Sequence, residues 1–170
     1  SSAASDVYKR QPFIDYMHRV QMLAQEGTFV ADILYYYGDH VPNVYPFKHS
    51  DMPGAMFGFD YDVTDENILM KLNVENGDIV VPGGRKYKVL VLPDHRILSL
   101  PVLKKLEMLV KEGASVLGPK PQKAVSLSGG EKGVAEFKQL ADMLWGTATG
   151  TTGQNKYGKG FVSSWARRCV

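Results

Sequence analysis

The sequence predicts an α/β fold: a parallel sheet flanked by helices, with an inserted β-hairpin. Three observations predict it. Tyr87 to Pro121, YKVLVLPDHRILSLPVLKKLEMLVKEGASVLGPKP, reads as strand, loop, helix, glycine stop and strand, which is one β-α-β unit. Phe29–Tyr37, FVADILYYY, is a β-rich and mostly apolar run, the signature of a strand buried on both faces. NVENGDIV sets Asn76-Gly77-Asp78 between two short strand-like pieces, the pattern of a small hairpin.

Composition bounds the classes of function. The chain has 170 residues, enough for one domain with a sizeable core. Its apolar fraction is 44% and its charged fraction 22%, so it reads as globular. A net charge of +2 argues against a nucleic acid or membrane surface recruited by bulk charge. No apolar run is long enough to span a bilayer. One cysteine, Cys169, excludes an internal disulfide framework.

In chain order, Ser1–Gln11, SSAASDVYKRQ, resembles a translated sequencing-adapter string and lacks the apolar stretch of a signal peptide. It is set aside from the fold. Phe13–Gln25 has Phe13, Met17, Val20 and Leu23-Ala24 at helical spacing, with Gly27 as a stop. After the Phe29–Tyr37 strand, Gly38–Phe59 is a long loop broken by Pro42, Pro46, Pro53, Gly54 and Gly58. Thr64 is the expected N-cap of a short helix, Asp65–Leu72. Val74–Val81 and Lys86–Leu92 are strand-like, with Pro82-Gly83-Gly84 as a turn. Ser99 caps the next helix, Pro101 is tolerated in its first turn, and Gly113 ends it. Val102, Leu103, Leu106, Leu109 and Val110 form its buried stripe. Ala114–Leu117 is the following strand. Gly133–Trp145 is a third amphipathic helix, with Val134, Phe137, Leu140, Ala141 and Leu144 on its apolar side, and Phe161-Val162 begins a last strand. Residues 163–170 are treated as a tail outside the domain.

Motifs of catalysis are conspicuously incomplete. Gly153–Gly160, GQNKYGKG, comes close to a phosphate-binding loop, but Gly160 stands where the magnesium-holding hydroxyl belongs, so a turn into a strand is the better reading. Asp60–Asn67, DYDVTDEN, begins like a calcium loop but has Asp65 where glycine is needed and Lys71 where the bidentate glutamate belongs. Asp60 and Asp62 alternate, and in an extended chain face the same way; they could meet a cation or a sugar hydroxyl, and the favoured reading is solvated or capping carboxylates before a helix. Asp39-His40 and His49-Ser50-Asp51 combine imidazole and carboxylate at spacings that match no fixed metal motif. His95 follows a strand end in Pro93-Asp94-His95, where open parallel sheets hold ligands. Tyr35 and Tyr37 face one side of their strand and Tyr36 the other, offering either packing or a sugar platform. No serine or cysteine stands on a nucleophile elbow.

The stretches VADILYYYGDHVPN, GFDYDVTDENIL, NGDIVVPGGRKYKVLVLPD and KEGASVLGPKPQKAVSLSG, followed by ADMLWG, resemble glycoside hydrolase family 106, the α-L-rhamnosidases and their relatives. The resemblance covers Pro12 to Gly160. It implies that residues 12–28 are the terminal helix of a missing catalytic barrel. Residues 29–162 would form a flavodoxin-like domain of the class I glutamine amidotransferase type. Its nucleophile would be lost, because the strand ending at Gly118 leads into Pro119 rather than cysteine. The whole protein would hydrolyse terminal α-L-rhamnosides of plant or microbial glycans with inversion, using two barrel carboxylates and assisted by calcium in the barrel. It would be a periplasmic or extracellular bacterial enzyme. The present chain would hold no cofactor, would brace the barrel, and would meet carbohydrate only through the whole enzyme. Tyr37, Asp39, His40, His49, Asp60 and Asp62 are the residues expected to border its sugar pocket. The competing expectation is a stand-alone flavodoxin-like module that binds a ligand at its strand ends.

Overall fold

Ile33–Tyr36 (β1) is an interior strand of the sheet, next to one edge; both its faces are apolar, and all four residues are buried. A computed structural model describes residues 2–39, 58–125, 130–147 and 153–164. The other elements follow in chain order. α1 is Ser2–Gln25, β2 Tyr61–Thr64, α2 Glu66–Leu69, β3 Asn73–Glu75, β4 Asp78–Val80, β5 Lys86–Tyr87 and β6 Val89–Val91. Then come β7 Ile97–Leu98, α3 Leu100–Glu112, β8 Ser115–Leu117, β9 Lys123–Ala124, α4 Gly130–Trp145, β10 Gly153–Tyr157 and β11 Gly160–Ser164.

The main sheet has six strands in the order β10-β11-β8-β6-β1-β2. All neighbours are parallel except β10 and β11, which form an antiparallel hairpin at one edge. The fold class expected from sequence is therefore present at the level of a mostly parallel sheet flanked by helices. The inserted hairpin is present as well: β3, β4 and β5 make a separate antiparallel sheet. Its two-residue loop places Asn76 at φ 54 and Gly77 at φ 88, the left-handed pair that Asn-Gly adopts at least cost.

One core unites the sheet with its helices. Leu34, Tyr36, Leu90, Leu92, Val116 and Val162 of the strands and their ends meet Leu69 of α2, Val102, Leu103 and Leu106 of α3, and Phe137, Ala141 and Leu144 of α4. The opposite face carries a smaller cluster of Ile33, Tyr35 and Val91. α3 starts and stops where the sequence places it. Ser99 accepts from the Val102 amide, and Gly113 at φ 128 closes the C-terminus. A side chain on Gly118 would run into Leu92 Cβ at 2.6 Å, so the ends of β6 and β8 approach as closely as glycine allows.

Several expectations are corrected. The first helix extends back through Pro12 to Ser2, not from Phe13, because Ala3, Ala4, Lys9, Arg10 and Gln11 favour helix. Its apolar stripe is uncovered: Phe13 is 65% and Leu23 71% exposed. The strand expected over Phe29–Tyr37 shrinks to β1, and Phe29 and Val30 are exposed, because pairing with β2 and β6 begins only at Ile33. Asp65, not Thr64, caps α2, accepting from the Ile68 amide, while Thr64 ends β2 and is buried. The short helix ends at Leu69 rather than Leu72. Val134 stays exposed on α4 and Leu140 is half-buried. β7 and β9, a two-stranded parallel ladder, were not foreseen because each is two residues long. The near phosphate loop is the β10–β11 hairpin. A Cβ on Gly158 would strike the Lys111 backbone at 2.6 Å and one on Gly160 the Ala114 and Val110 carbonyls, so these glycines serve close approach to the end of α3.

Candidate functional site

A cleft of about 370 Å³ opens beside the edge strand β2. Strand alternation builds it. Asp62 stands opposite Leu34 and Thr64 opposite Tyr36 in the parallel register, so both turn toward the helix-bearing core face, where α2 and the inserted hairpin sheet lie. Ile68 of α2, Pro82, Arg85 and Tyr87 complete the walls, with Tyr37 at the end of β1.

The polar centre is a connected triad. Arg85 Nη1 donates to Asp62 Oδ2 at 2.7 Å, and the Tyr87 hydroxyl donates to the same oxygen at 2.8 Å. Asp62 Oδ1 accepts from the Val63 amide at 3.2 Å. Tyr87 is 2% exposed, and burial, reinforced by its bond to Asp62, pushes its phenol up to about 12. Asp65 borders the same cleft, and the Ile68 amide it caps holds its carboxyl below the usual carboxylate range.

The strand ends have a different fate. Asp39, just past β1, accepts from the Tyr36 hydroxyl and from the Ser99 amide, so its carboxylate ties the end of the first strand to the start of α3. The ladder of β7 and β9 stitches the two loops that leave β6 and β8, with the Gln122 amide donating to the Arg96 carbonyl at 2.8 Å. Trp145 Nε1 donates to the Gly118 carbonyl at 2.9 Å, and Lys120 bridges Asp142 and the Gly146 carbonyl, both at 2.6 Å. A second depression of about 330 Å³ lies against this ladder, beside Asp94, His95, Arg96, Gln122 and Lys123.

Of the residues expected to border a pocket, the structure brings Tyr37 and Asp62 into the cleft. Asp39 is instead engaged in the strand-end bonds. Asp60 is exposed, and its carbonyl accepts from the Asp32 amide at 3.2 Å. His40 and His49 lie outside the described residues. Tyr35 is a packing residue, edge-on to Tyr61 with ring centroids 5.2 Å apart. Arg85 and Tyr87 were missed. Their alternation in RKY, leading out of a glycine turn, was the available signal. Among the described residues no cluster of three or more His, Cys, Asp or Glu side chains is arranged to hold a metal ion. No described helix is long and apolar enough to cross a membrane.

With this geometry in place, residues 5–168 match the alpha-L-rhamnosidase family, glycoside hydrolase family 106. The chain belongs to that family. A rhamnosidase from Novosphingobium sp. PP1Y superimposes with a TM-score of 0.73 and 30% identity over 90% of this chain. A Formosa agariphila protein named as a beta-glucuronidase is 42% identical over 134 residues, 79% of the chain. The chain spans 14% of that rhamnosidase structure and 11% of that relative.

Proposed function

We propose that this chain is a segment of a longer glycoside hydrolase that removes terminal α-L-rhamnosides, and that the segment is a non-catalytic domain bracing the catalytic barrel. The observation that carries the reading is the state of the cleft carboxylates. Glycoside hydrolysis needs one carboxyl that stays protonated to act as an acid and a second that acts as base or nucleophile. Asp62 already accepts from a guanidinium and a phenol, and a helix cap holds the Asp65 carboxyl below the usual carboxylate range, so the cleft offers no such pair. The catalytic pair then belongs to the longer protein.

The parallel strands run in the order second, first, third, fourth, fifth, which supports a flavodoxin-like assignment. A ligand at the strand ends, the competing reading, is disfavoured by the Asp39 and β7–β9 ties. The exposed apolar residues of α1 and the Phe29-Val30 link are the surface this reading places against the barrel. Calcium, if used, belongs to that barrel. Tyr37 and Asp62, which share the cleft, mark the side of the domain placed nearest the substrate.

The test compares the full-length protein with the 170-residue chain on p-nitrophenyl α-L-rhamnoside and p-nitrophenyl β-D-glucuronide. Rhamnoside turnover by the full-length protein alone is the expected result. Turnover by the short chain overturns the accessory role, and turnover of the glucuronide alone overturns the substrate.

A further inference from the structure

We propose that the cleft beside β2 is itself a binding site for one neutral sugar ring, with Asp62 accepting from and Arg85 donating to neighbouring hydroxyls. The proposal rests on the reading of the chain as part of a glycan-acting enzyme, but its chemistry comes from the cleft. The volume of about 370 Å³ lies at the small end of the range, about 300–1,000 Å³, typical of small-molecule sites.

The triad is built to present polar atoms and not merely to consume them. Buried Tyr87 fixes the Asp62 carboxylate from behind, and Asp62 in turn orients the guanidinium. Arg85 spends one Nη1 bond on Asp62 and, among the described residues, retains its Nε and Nη2 donors, while Asp62 Oδ1 keeps acceptor capacity beyond the Val63 amide. Their side chains are 41% and 33% exposed, so both reach a ligand that enters from solvent. A carboxylate beside a guanidinium matches a pair of adjacent hydroxyls, each of which can donate and accept. Ile68 and Pro82 add apolar walls, and Tyr37 an aromatic one, for the C–H faces of the ring.

Charge selects the class of sugar. Among the described residues of the cleft wall, two carboxylates, Asp62 and Asp65, stand against the guanidinium of Arg85. The balance is negative and repels a uronic acid, whereas a neutral hexose or deoxyhexose meets no such penalty.

The test titrates methyl α-L-rhamnopyranoside, methyl α-D-mannopyranoside and D-glucuronate into the chain and follows amide shifts by NMR. The expected result is saturable shifts at residues 62–68 and 81–87 with a neutral glycoside, at a Kd of about 1 mM, and weaker binding of glucuronate. Arg85→Gln weakens binding about tenfold through loss of a charge-assisted donor. Ile68→Trp fills the cleft without touching the Asp62–Arg85–Tyr87 bonds and abolishes binding while leaving the spectrum folded. Absence of saturable shifts, binding that survives Ile68→Trp, or preference for glucuronate overturns the proposal. Because binding is read directly and not through turnover, a full-length protein inactive on rhamnosides leaves this result standing, and an empty cleft leaves the hydrolase reading standing.

Discussion

Two places in this sheet pair an aspartate with a buried tyrosine, and they use the pair in opposite ways. At the strand ends, Asp39 accepts from Tyr36 and from the Ser99 amide of the α3 cap, and its bonds tie the end of β1 to the start of α3. At the sheet edge, Asp62 accepts from Tyr87 and then holds Arg85, whose remaining donors face an open cleft. Asp62 lies within the pairing register of β2, opposite Leu34, and Asp39 follows the end of β1. What separates them is the partner. The Ser99 amide ties Asp39 to a second backbone element, whereas Arg85, held by Asp62, carries further donors of its own toward the cleft. At the strand ends, where parallel sheets usually hold ligands, the Asp39 carboxylate thus serves cohesion, whereas Asp62 at the edge beside the inserted hairpin borders a cleft.

The contrast breaks most severely where the strand ends are tightest. Gly118→Ala pushes a methyl against Leu92 Cβ at 2.6 Å, and unfolding in urea is expected to show a loss of about 3 kcal/mol. A loss below measurement would mean that the strand ends are not closed as described. Asp39→Ala leaves the buried Tyr36 hydroxyl and the Ser99 amide without their acceptor and costs about 2 kcal/mol. Tyr36→Phe in that background should restore part of the loss, which a double-mutant cycle measures.

Alkaline pH sharpens the same comparison. Burial, then the bond to Asp39, raises the Tyr36 phenol well above its ordinary value near 10, and burial with Asp62 raises Tyr87 to about 12. Both phenols hold their protons longer in the folded chain than in the unfolded one. Their stabilisation is complete below pH 10 and is lost as pH rises, for Tyr87 between pH 10 and about 12, at about 1.4 kcal/mol per pH unit for each group. Denaturant midpoints should therefore fall steeply above pH 10, and less steeply in Tyr36→Phe and Tyr87→Phe. The smallest change in stability belongs to Arg85→Ala. Its ion pair with Asp62 is substantially exposed, so the cost should stay below about 1 kcal/mol even as sugar binding is lost. A loss as large as that of Asp39→Ala would make Arg85 a structural brace and erase the distinction between the two regions.

Legibility from sequence followed how local each feature is. The β-α-β unit, the Ser99 cap, the Gly113 stop and the Asn76-Gly77 hairpin depend on a few adjacent residues, and they were readable. β7, β9 and β10 were not, since strands this short or this polar exist only through pairing with distant partners. The site divided in the same way. Alternation in Asp60–Asp62 identified Asp62 as an exposed carboxylate of interest, but Arg85 lies 23 residues further on and meets it only through the fold. Asp39 looked like a pocket residue because it opens a long loop, and its neighbouring helix cap is 60 residues away.

The sequence by itself determined the parallel α/β class, the hairpin insertion and the family, because hydrophobic period, turn chemistry and local motifs are written in contiguous residues. Only the tertiary structure decided which carboxylate closes the sheet and which one faces a cleft. That outcome depends on the partner each side chain finds across the fold, and the same aspartate can meet a helix amide or a guanidinium with no change in its own surrounding sequence.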